Sequence, residues 1–388
     1  MNKKEAYGVL SKLCKVNLPF IWTSIWFWAG KYARALDYIN TVYDENCAVL
    51  DVYCWRGILY YFSNDHNYAI DNLEKAERAN PKKLEIKYLL AEIYFESAHI
   101  KKAQIRYRAL LGNSDYKTFG LYGIGNCLLK TNHHVEALGF FNKALSYAKL
   151  EYIPKILNKK GLCLMELNKI EEAIRCFEEC VRFVPTDYSV QLNLALALGK
   201  SKKYKEAAVV YKNIIKKMPH NLIVINNFAS CLAACHDYNE ALNYCNKGLK
   251  IDPGNPDLLI NKGYCLYKLG RYNNSLECLN EAEKILKDDI ILTNNKALCL
   301  MALEKYDDAL KLFDSLLKSN NSDDLMLNKA YCLVKKGMYS EALIYLLKIK
   351  DERIKNFDYF TLKGICFEHL GNHEAAVENY NKSLNMAR

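Results

Sequence analysis

The sequence predicts an all-α solenoid of stacked helical hairpins, and three observations support this prediction. The chain has 388 residues but only seven prolines and 17 glycines, and no Ser/Gly/Pro-rich stretch interrupts it. Small residues recur in two series at one common, nearly constant spacing. Four of the prolines share one further position of the same repeat. A long chain with a fixed period and no linker is typical of a repeat array rather than of separate globular domains.

Small residues recur at two fixed positions of each unit. In the first series, eight of the ten steps are equal, and the other two differ from them by only one or two positions. Its members are Ala35, Ala69, Ala103, Ala137, Ala173, Ala207, Ala241, Ser275, Ala309, Ala342 and Ala376. The second series lies twelve positions earlier and consists of Gly57, Ala91, Gly125, Gly161, Ala195, Ala229, Gly263, Ala297, Ala330 and Gly364. In the first repeat this position is occupied by Thr23, the one residue of the series that is neither Gly nor Ala.

Close packing of two antiparallel helices explains both series. Two backbones approach closely only where side chains are small, so each helix of a hairpin needs one small residue. Large residues then fill the space around them, such as Tyr94 and Leu164 on first helices and Phe141 and Phe313 on second helices. The four prolines follow the second helix, where proline ends helical structure; they are Pro81, Pro185, Pro219 and Pro253. A hairpin of this length cannot bury its apolar faces alone, so we expect the hairpins to stack.

The pattern resembles that of the tetratricopeptide repeat (TPR) family. Residues 261–283 ("NKGYCLYKLGRYNNSLECLNEAE") and 295–313 ("NKALCLMALEKYDDALKLF") carry the resemblance most clearly. It covers residues 16–388 in about eleven repeats, and we interpret residues 1–15 as an N-terminal capping helix or extension. The resemblance implies a right-handed α-α superhelical solenoid of TPR helical hairpins. It also implies that the first helix of each hairpin lines a concave groove.

Composition and cysteine spacing do not favour a disulfide framework, a metal site or a catalytic site. Seven of the fifteen cysteines lie two positions after the small residue of the first helix, a position that indicates packing. No disulfide framework and no cleavable signal sequence are evident, so we expect a reducing, cytoplasmic location. Cys231, Cys235 and His236 are close in sequence, but no paired metal-binding spacing accompanies them. We therefore predict no metal, no cofactor and no enzymatic activity.

A column of amides is the strongest candidate binding feature. Five consecutive repeats have asparagine at one position, two residues before the small residue of the first helix. These asparagines are Asn193, Asn227, Asn261, Asn295 and Asn328. An amide both donates and accepts hydrogen bonds, so such a column can bind an extended peptide backbone of any sequence. It is similar to the asparagine ladder in the TPR superhelix of O-GlcNAc transferase. Alternatively, these amides bond between neighbouring hairpins.

Basic and aromatic residues accompany this column. Lys200, Lys268 and Lys335 follow three of the amides by seven positions, or two helical turns, and so share their face. Tyr264 and Tyr331 lie between amide and lysine in two of these units. Ammonium groups beside aromatic rings suit an extended peptide with acidic side chains. A solvated helix face explains lysines at this spacing equally well.

We therefore predict a protein–protein interaction scaffold that binds an extended peptide or protein segment of acidic character in its concave groove. The first alternative is a structural subunit of a larger assembly, held through its ends and convex face. The second is an RNA-binding helical repeat, supported by the basic excess in residues 101–150 and 201–250. The formal net charge of +10 has no Arg-rich run, so nucleic acid is not favoured.

The two terminal regions raise a separate question. Residues 18–29 ("LPFIWTSIWFWA") are uncharged and aromatic but too short to span a bilayer, which takes about 20 residues. A membrane role is therefore not favoured. We expect instead a first hairpin whose aromatic face is covered either by residues 1–15 or by a partner, and Ala6, Val9, Leu10 and Leu13 suit a short capping helix in the first of these alternatives. The last predicted hairpin stops at residue 388 without a polar capping helix. We expect either self-association through the terminal repeats or a chain that is a fragment of a longer protein.

Overall fold

The protein consists of α-helices in alternating order. The computed structural model describes residues 1–14, 18–43 and 49–387, and these contain 23 helices and no strand. Residues 15 and 16, where we place the boundary between extension and solenoid, lie outside the described residues, as does residue 388. The chain divides into two compact units, the first Met1–Ser201 and the second beginning at Lys202, and each is described by itself.

The first unit contains twelve described helices. They are α1 Lys3–Leu13, α2 Leu18–Trp28, α3 Tyr32–Val42, α4 Leu50–Phe62, α5 His66–Ala79, α6 Leu84–Glu96, α7 Ile100–Ala109, α8 Ser114–Lys130, α9 His134–Leu145, α10 Ile153–Glu166, α11 Ile170–Phe183 and α12 Tyr188–Lys200. After α1, they form five hairpins in chain order, followed by α12. One apolar core runs through this unit from Ala6 to Cys163.

The second unit contains eleven described helices. They are α13 Tyr204–Lys217, α14 Leu222–Ala234, α15 Tyr238–Ile251, α16 Pro256–Lys268, α17 Tyr272–Glu283, α18 Ile290–Ala302, α19 Tyr306–Ser319, α20 Asp323–Lys336, α21 Tyr339–Lys348, α22 Phe357–His369 and α23 His373–Ala387. Five hairpins follow α13. Counted along the chain, α2 to α23 make eleven successive helix pairs, which confirms the predicted all-α repeat fold.

The small residues occupy the contacts that the sequence predicts. Every member of both series is buried. At Gly161, a Cβ atom would lie only 2.5 Å from the Phe177 ring, and at Gly125 only 2.7 Å from the Phe141 ring. The single serine of the first series keeps its hydroxyl paired, because Ser275 Oγ donates to the Gly263 carbonyl at 2.6 Å. A small residue is therefore required where one helix crosses under a large side chain of the other.

The turn inside each helix pair is also repeated. One residue with positive φ lies there in all eleven pairs, at Gly30, Asn64, Ala98, Asn132, Asn168, Lys202, His236, Gly270, Glu304, Gly337 and Gly371. Glycine occupies only four of these positions, which is why the sequence does not display them as a glycine series. The four prolines each lie two positions beyond the end of a second helix, as predicted.

First helices form the inner face of each unit. In the first unit α6, α8, α10 and α12 contact one another in turn, and in the second unit α14, α16, α18, α20 and α22 do so. Successive second helices make fewer such contacts. Because first helices lie closer together, their exposed surface is the concave side of the unit. The helix α1 lies on this side of the first unit, in contact with α4 and α6.

Candidate functional site

Three amides of the predicted column hydrogen-bond to the preceding first helix. In the first unit, Asn193 Nδ2 donates to Asn158 Oδ1 at 2.9 Å. In the second unit, Asn261 Nδ2 donates to Asn226 Oδ1 at 2.7 Å, and Asn328 Nδ2 donates to Asn294 Oδ1 at 3.1 Å. These bridges join α10 to α12, α14 to α16 and α18 to α20. Each of the three column amides is partly exposed and uses one side-chain N–H in its bridge.

The other two amides of the column have no such bridge among the described residues, and one of them is buried. Asn295 is 7% exposed. Asn227 is half-buried and lies beside Tyr211, whose pKa burial raises far above its usual range. The five amides therefore differ in their accessibility to a partner, although their position in the repeat is the same.

The accepting residues Asn158, Asn226 and Asn294 were missed in the sequence. They lie one position before the column and recur in every second repeat. The sequence does contain a signal for these bridges. In each bridge the accepting asparagine lies one position before the column in one repeat, and the donating asparagine lies in the column in the following repeat. A search for pairs between neighbouring repeats would have found it.

The predicted lysines lie beside aromatic rings in the second unit. Lys268 Nζ lies 5.6 Å from the centroid of the Tyr264 ring, and Lys335 Nζ lies 5.5 Å from that of Tyr331. Both tyrosines are partly exposed, Tyr331 at 39%. In the first unit, Lys200 is exposed at the end of α12, where leucine stands in place of the tyrosine.

These lysines differ from their neighbours in ion pairing. Lys296 pairs with Glu283 at 2.7 Å, Lys329 pairs with Asp314, and Lys336 pairs with Asp307. Among the described residues, no ion pair joins Lys200, Lys268 or Lys335 to a carboxylate. Their ammonium groups are therefore not held in a direct ion pair in this part of the chain and can attract an acidic ligand.

A cavity of about 390 Å³ adjoins the last predicted lysine. Tyr331, Val334 and Lys335 of α20 form one wall, and Thr361 and Ile365 of α22 form the other. Its lining combines aromatic, aliphatic and cationic groups with one carboxylate, that of Asp358. The cavity has the mixed character of a side-chain pocket rather than of a polar catalytic cleft.

The first unit has a larger cavity, of about 970 Å³, between α1 and the first helices α6, α8 and α10. An aromatic cluster lines it, in which the Phe119 ring lies 4.9 Å from Tyr152 and 5.2 Å from Tyr88. Lys12 and Lys155 border the same space. None of its residues belongs to the predicted amide column.

The structure bears on three other features considered in the sequence. The seven cysteines of the repeat position are all buried and unpaired, which supports their packing role. Over the described ranges, no group of three or more His, Cys, Asp or Glu side chains is placed to hold a metal ion. Among the described helices, none combines the length and the apolar character that crossing a membrane requires.

Comparison with known proteins agrees with the repeat pattern. Family models of the tetratricopeptide repeat match residues 154–187, 294–358 and 357–388. The family model of anaphase-promoting complex (cyclosome) subunit 3 matches residues 234–316. No curated protein matches the sequence significantly.

Solved structures of similar fold include TPR proteins. A tetratricopeptide repeat protein from Parabacteroides merdae is 17% identical, with 61% of this chain and 94% of that chain covered and a TM-score of 0.50. YrrB, described as a TPR protein with an unusual peptide-binding site, is 21% identical over 49% of this chain and 97% of its own, with a TM-score of 0.44. PilF of Pseudomonas aeruginosa is 21% identical over 54% and 94%, with a TM-score of 0.47.

The fold and the repeat positions define an α-helical repeat protein whose inner face is built from first helices. Together with the family matches, they identify its family: the chain is a tetratricopeptide repeat protein with many repeats. Proteins of this class act in general as protein–protein interaction scaffolds.

Proposed function

We propose that this chain is a non-enzymatic scaffold that binds an extended, acidic segment of a protein partner along the inner face of its second unit. The proposal rests chiefly on Lys268 and Lys335. Both are exposed, both lie over a tyrosine ring of the same helix, and neither has a carboxylate partner in the described part of the chain. They lie two repeats apart, so they present the same combination twice along one face.

The amides of this face supply the second part of the argument. Asn261 and Asn328 are held in place by their bonds to the preceding helix, so their orientation is fixed before a ligand arrives. A fixed amide loses little conformational freedom on binding, which favours affinity. Backbone pairing with the amides gives tolerance of sequence, and the lysines select for acidic side chains.

Charge reversal of the two lysines tests this proposal. The tagged chain with K268E and K335E is compared with the wild type in capture of partners from the native cell, followed by identification of the bound chains. The matched control carries K250E and K318E, two exposed lysines on second helices with the same net change in charge. We expect the inner-face variant to lose the partner and the control to retain it. Equal retention, or equal loss, would contradict the proposal.

Salt provides a second readout. Because the attraction is between exposed charges, binding should weaken as ionic strength rises above about 0.15 M, where the Debye length is about 8 Å. The residual binding at high salt would measure the contribution of the amides and the cavity beside Tyr331.

A further inference from the structure

The helix α1 occupies the inner face of the first unit. Its buried side chains are Ala6, Val9, Leu10 and Leu13, at positions i, i+3, i+4 and i+7. This spacing places them on a single face of the helix, and the helix contacts α4 and α6. The inner surface of this unit therefore binds an amphipathic helix already, one supplied by the chain itself.

Polar contacts extend the docking to two further first helices. Glu5 forms an ion pair with Lys155 of α10, 150 residues away in sequence. Lys12 Nζ lies 6.0 Å from the centroid of the Tyr116 ring on α8. The same Glu5 also completes a capping box with Asn2 at the start of the helix. In total, α1 contacts four first helices in the way that a bound peptide helix would.

The docking of α1 is suited to replacement of α1 by another helix. A helix of eleven residues is shorter than the ~12–15 residues at which isolated helices become even marginally stable in water, so α1 depends on its contacts with the groove. Beside it, the cavity of about 970 Å³ remains open, and a Cβ atom at Gly8 would meet nothing within 4 Å. The groove is thus wider than its occupant.

We infer that the inner face of the first unit is a binding site for an amphipathic helix of a protein partner, and that α1 occupies this site in cis and competes with the partner. The partner helix carries apolar residues at the spacing of Ala6, Val9, Leu10 and Leu13, and a carboxylate immediately before the first of them to pair with Lys155. This site is independent of the acidic-segment site proposed for the second unit.

A charge exchange tests the site with peptides of known sequence. The probes are labelled synthetic peptides of residues 1–14, one with the natural sequence and one with E5K, both with C14S to prevent oxidation. In the full-length chain with K155E, the new carboxylate repels Glu5 of the chain's own α1 and weakens its docking, and both peptides compete with the same α1. We expect this chain to bind the E5K peptide at least roughly tenfold more tightly than the natural peptide, as measured by fluorescence anisotropy. Because Lys155 is about half exposed, its replacement leaves the packing of α10 unchanged.

Two controls make the result specific. The K143E chain has the same change in net charge on the exposed surface of α9, and it should show no preference between the peptides at ~0.15 M salt. The L10K chain removes the central apolar contact of α1, whereas S11K places the same charge on its exposed face. L10K should bind the natural peptide at least roughly tenfold more tightly than either the wild type or S11K.

Three outcomes would overturn the inference. They are equal binding of the two peptides to the K155E chain, no gain for L10K that is folded by circular dichroism, and formation of an L10K dimer that binds no peptide. The last would assign the inner face to a second copy of the chain. If L10K does not fold, the K155E comparison decides the question alone.

Discussion

In the second unit, the side-chain Nδ2 of Asn261 donates to the side-chain Oδ1 of Asn226 at 2.7 Å. The two residues belong to successive first helices, α16 and α14, and are 35 residues apart in sequence. The bond is therefore a contact between repeats, and it also holds the side chain of Asn261 in a defined orientation on the inner face. Substitutions at this pair therefore measure how much the bond between repeats contributes to the stability of the fold, independently of any ligand.

We expect N226A and N261A each to lower the free energy of unfolding by about 1 kcal/mol, the usual net contribution of one hydrogen bond. The double variant should cost less than the sum of the two, because the second substitution removes a bond that the first has already broken. Chemical denaturation of the full chain measures all three. The exposed Asn246 of α15 gives the control, since N246A breaks no such bridge. Strict additivity would show that the bridge does not contribute.

Replacement of two different glycines by alanine should change the stability of the fold in opposite directions. In G161A the new Cβ lies 2.5 Å from the Phe177 ring, so the helices must separate, and we expect a loss of about 1–3 kcal/mol. In G139A, also within a helix of the first unit, the new Cβ has open space. This variant should gain up to about 1 kcal/mol from the higher helix propensity of alanine. Thermal melts of the two variants test the difference, and a loss in both would refute the packing explanation.

The turn position gives a ranking at one residue. Gly270 has φ of +74° and open space around it, so its requirement is one of backbone conformation only. Because asparagine adopts this conformation more readily than other side chains, and occupies the position in three other repeats, G270N should cost least. G270A should cost about 1–2 kcal/mol, and G270V should cost more. Equal melting temperatures for the three variants would contradict this account.

The buried thiols predict a pH dependence. Burial raises the pKa of Cys366 from 9.0 to about 11. Between these values the folded chain holds a proton that the unfolded chain has lost, so the free energy of unfolding falls as pH rises from about 9 to 11. Comparison of urea denaturation at pH 8 and pH 10 should show a smaller loss in C366A than in the wild type. The half-exposed Cys235 provides the control, and C235A should follow the wild type. An unchanged loss in C366A would exclude this thiol as the cause.

Prediction from the sequence succeeded where a feature depends only on contacts within one repeat. Ala207 and Gly263 were recognisable because the packing of two adjacent helices demands a small residue at each unit, independently of the rest of the chain. It was incomplete at Asn261, because the same residue type suits both a ligand and a neighbouring helix. The pair with Asn226 decides what one of its N–H groups does, and only the stacking of repeats brings the two together.

The first helix shows the same limit more strongly. Its apolar residues, from Ala6 to Leu13, predicted a helix that covers the first hairpin, but not its contacts with later repeats. In the structure α1 lies against α4 and α6, and Glu5 pairs with Lys155. No periodicity could indicate this pair, because α1 is outside the repeat and the two residues are 150 positions apart.

The sequence by itself thus determined the hairpin, its repetition and its packing positions, because these depend on contacts within a single repeat. Only the tertiary structure decided which amide pairs with which, which lysines are left without a carboxylate partner in the described chain, and where α1 docks. Those outcomes depend on how one hairpin is stacked on the next, and stacking brings together residues whose distance in sequence carries no local signal.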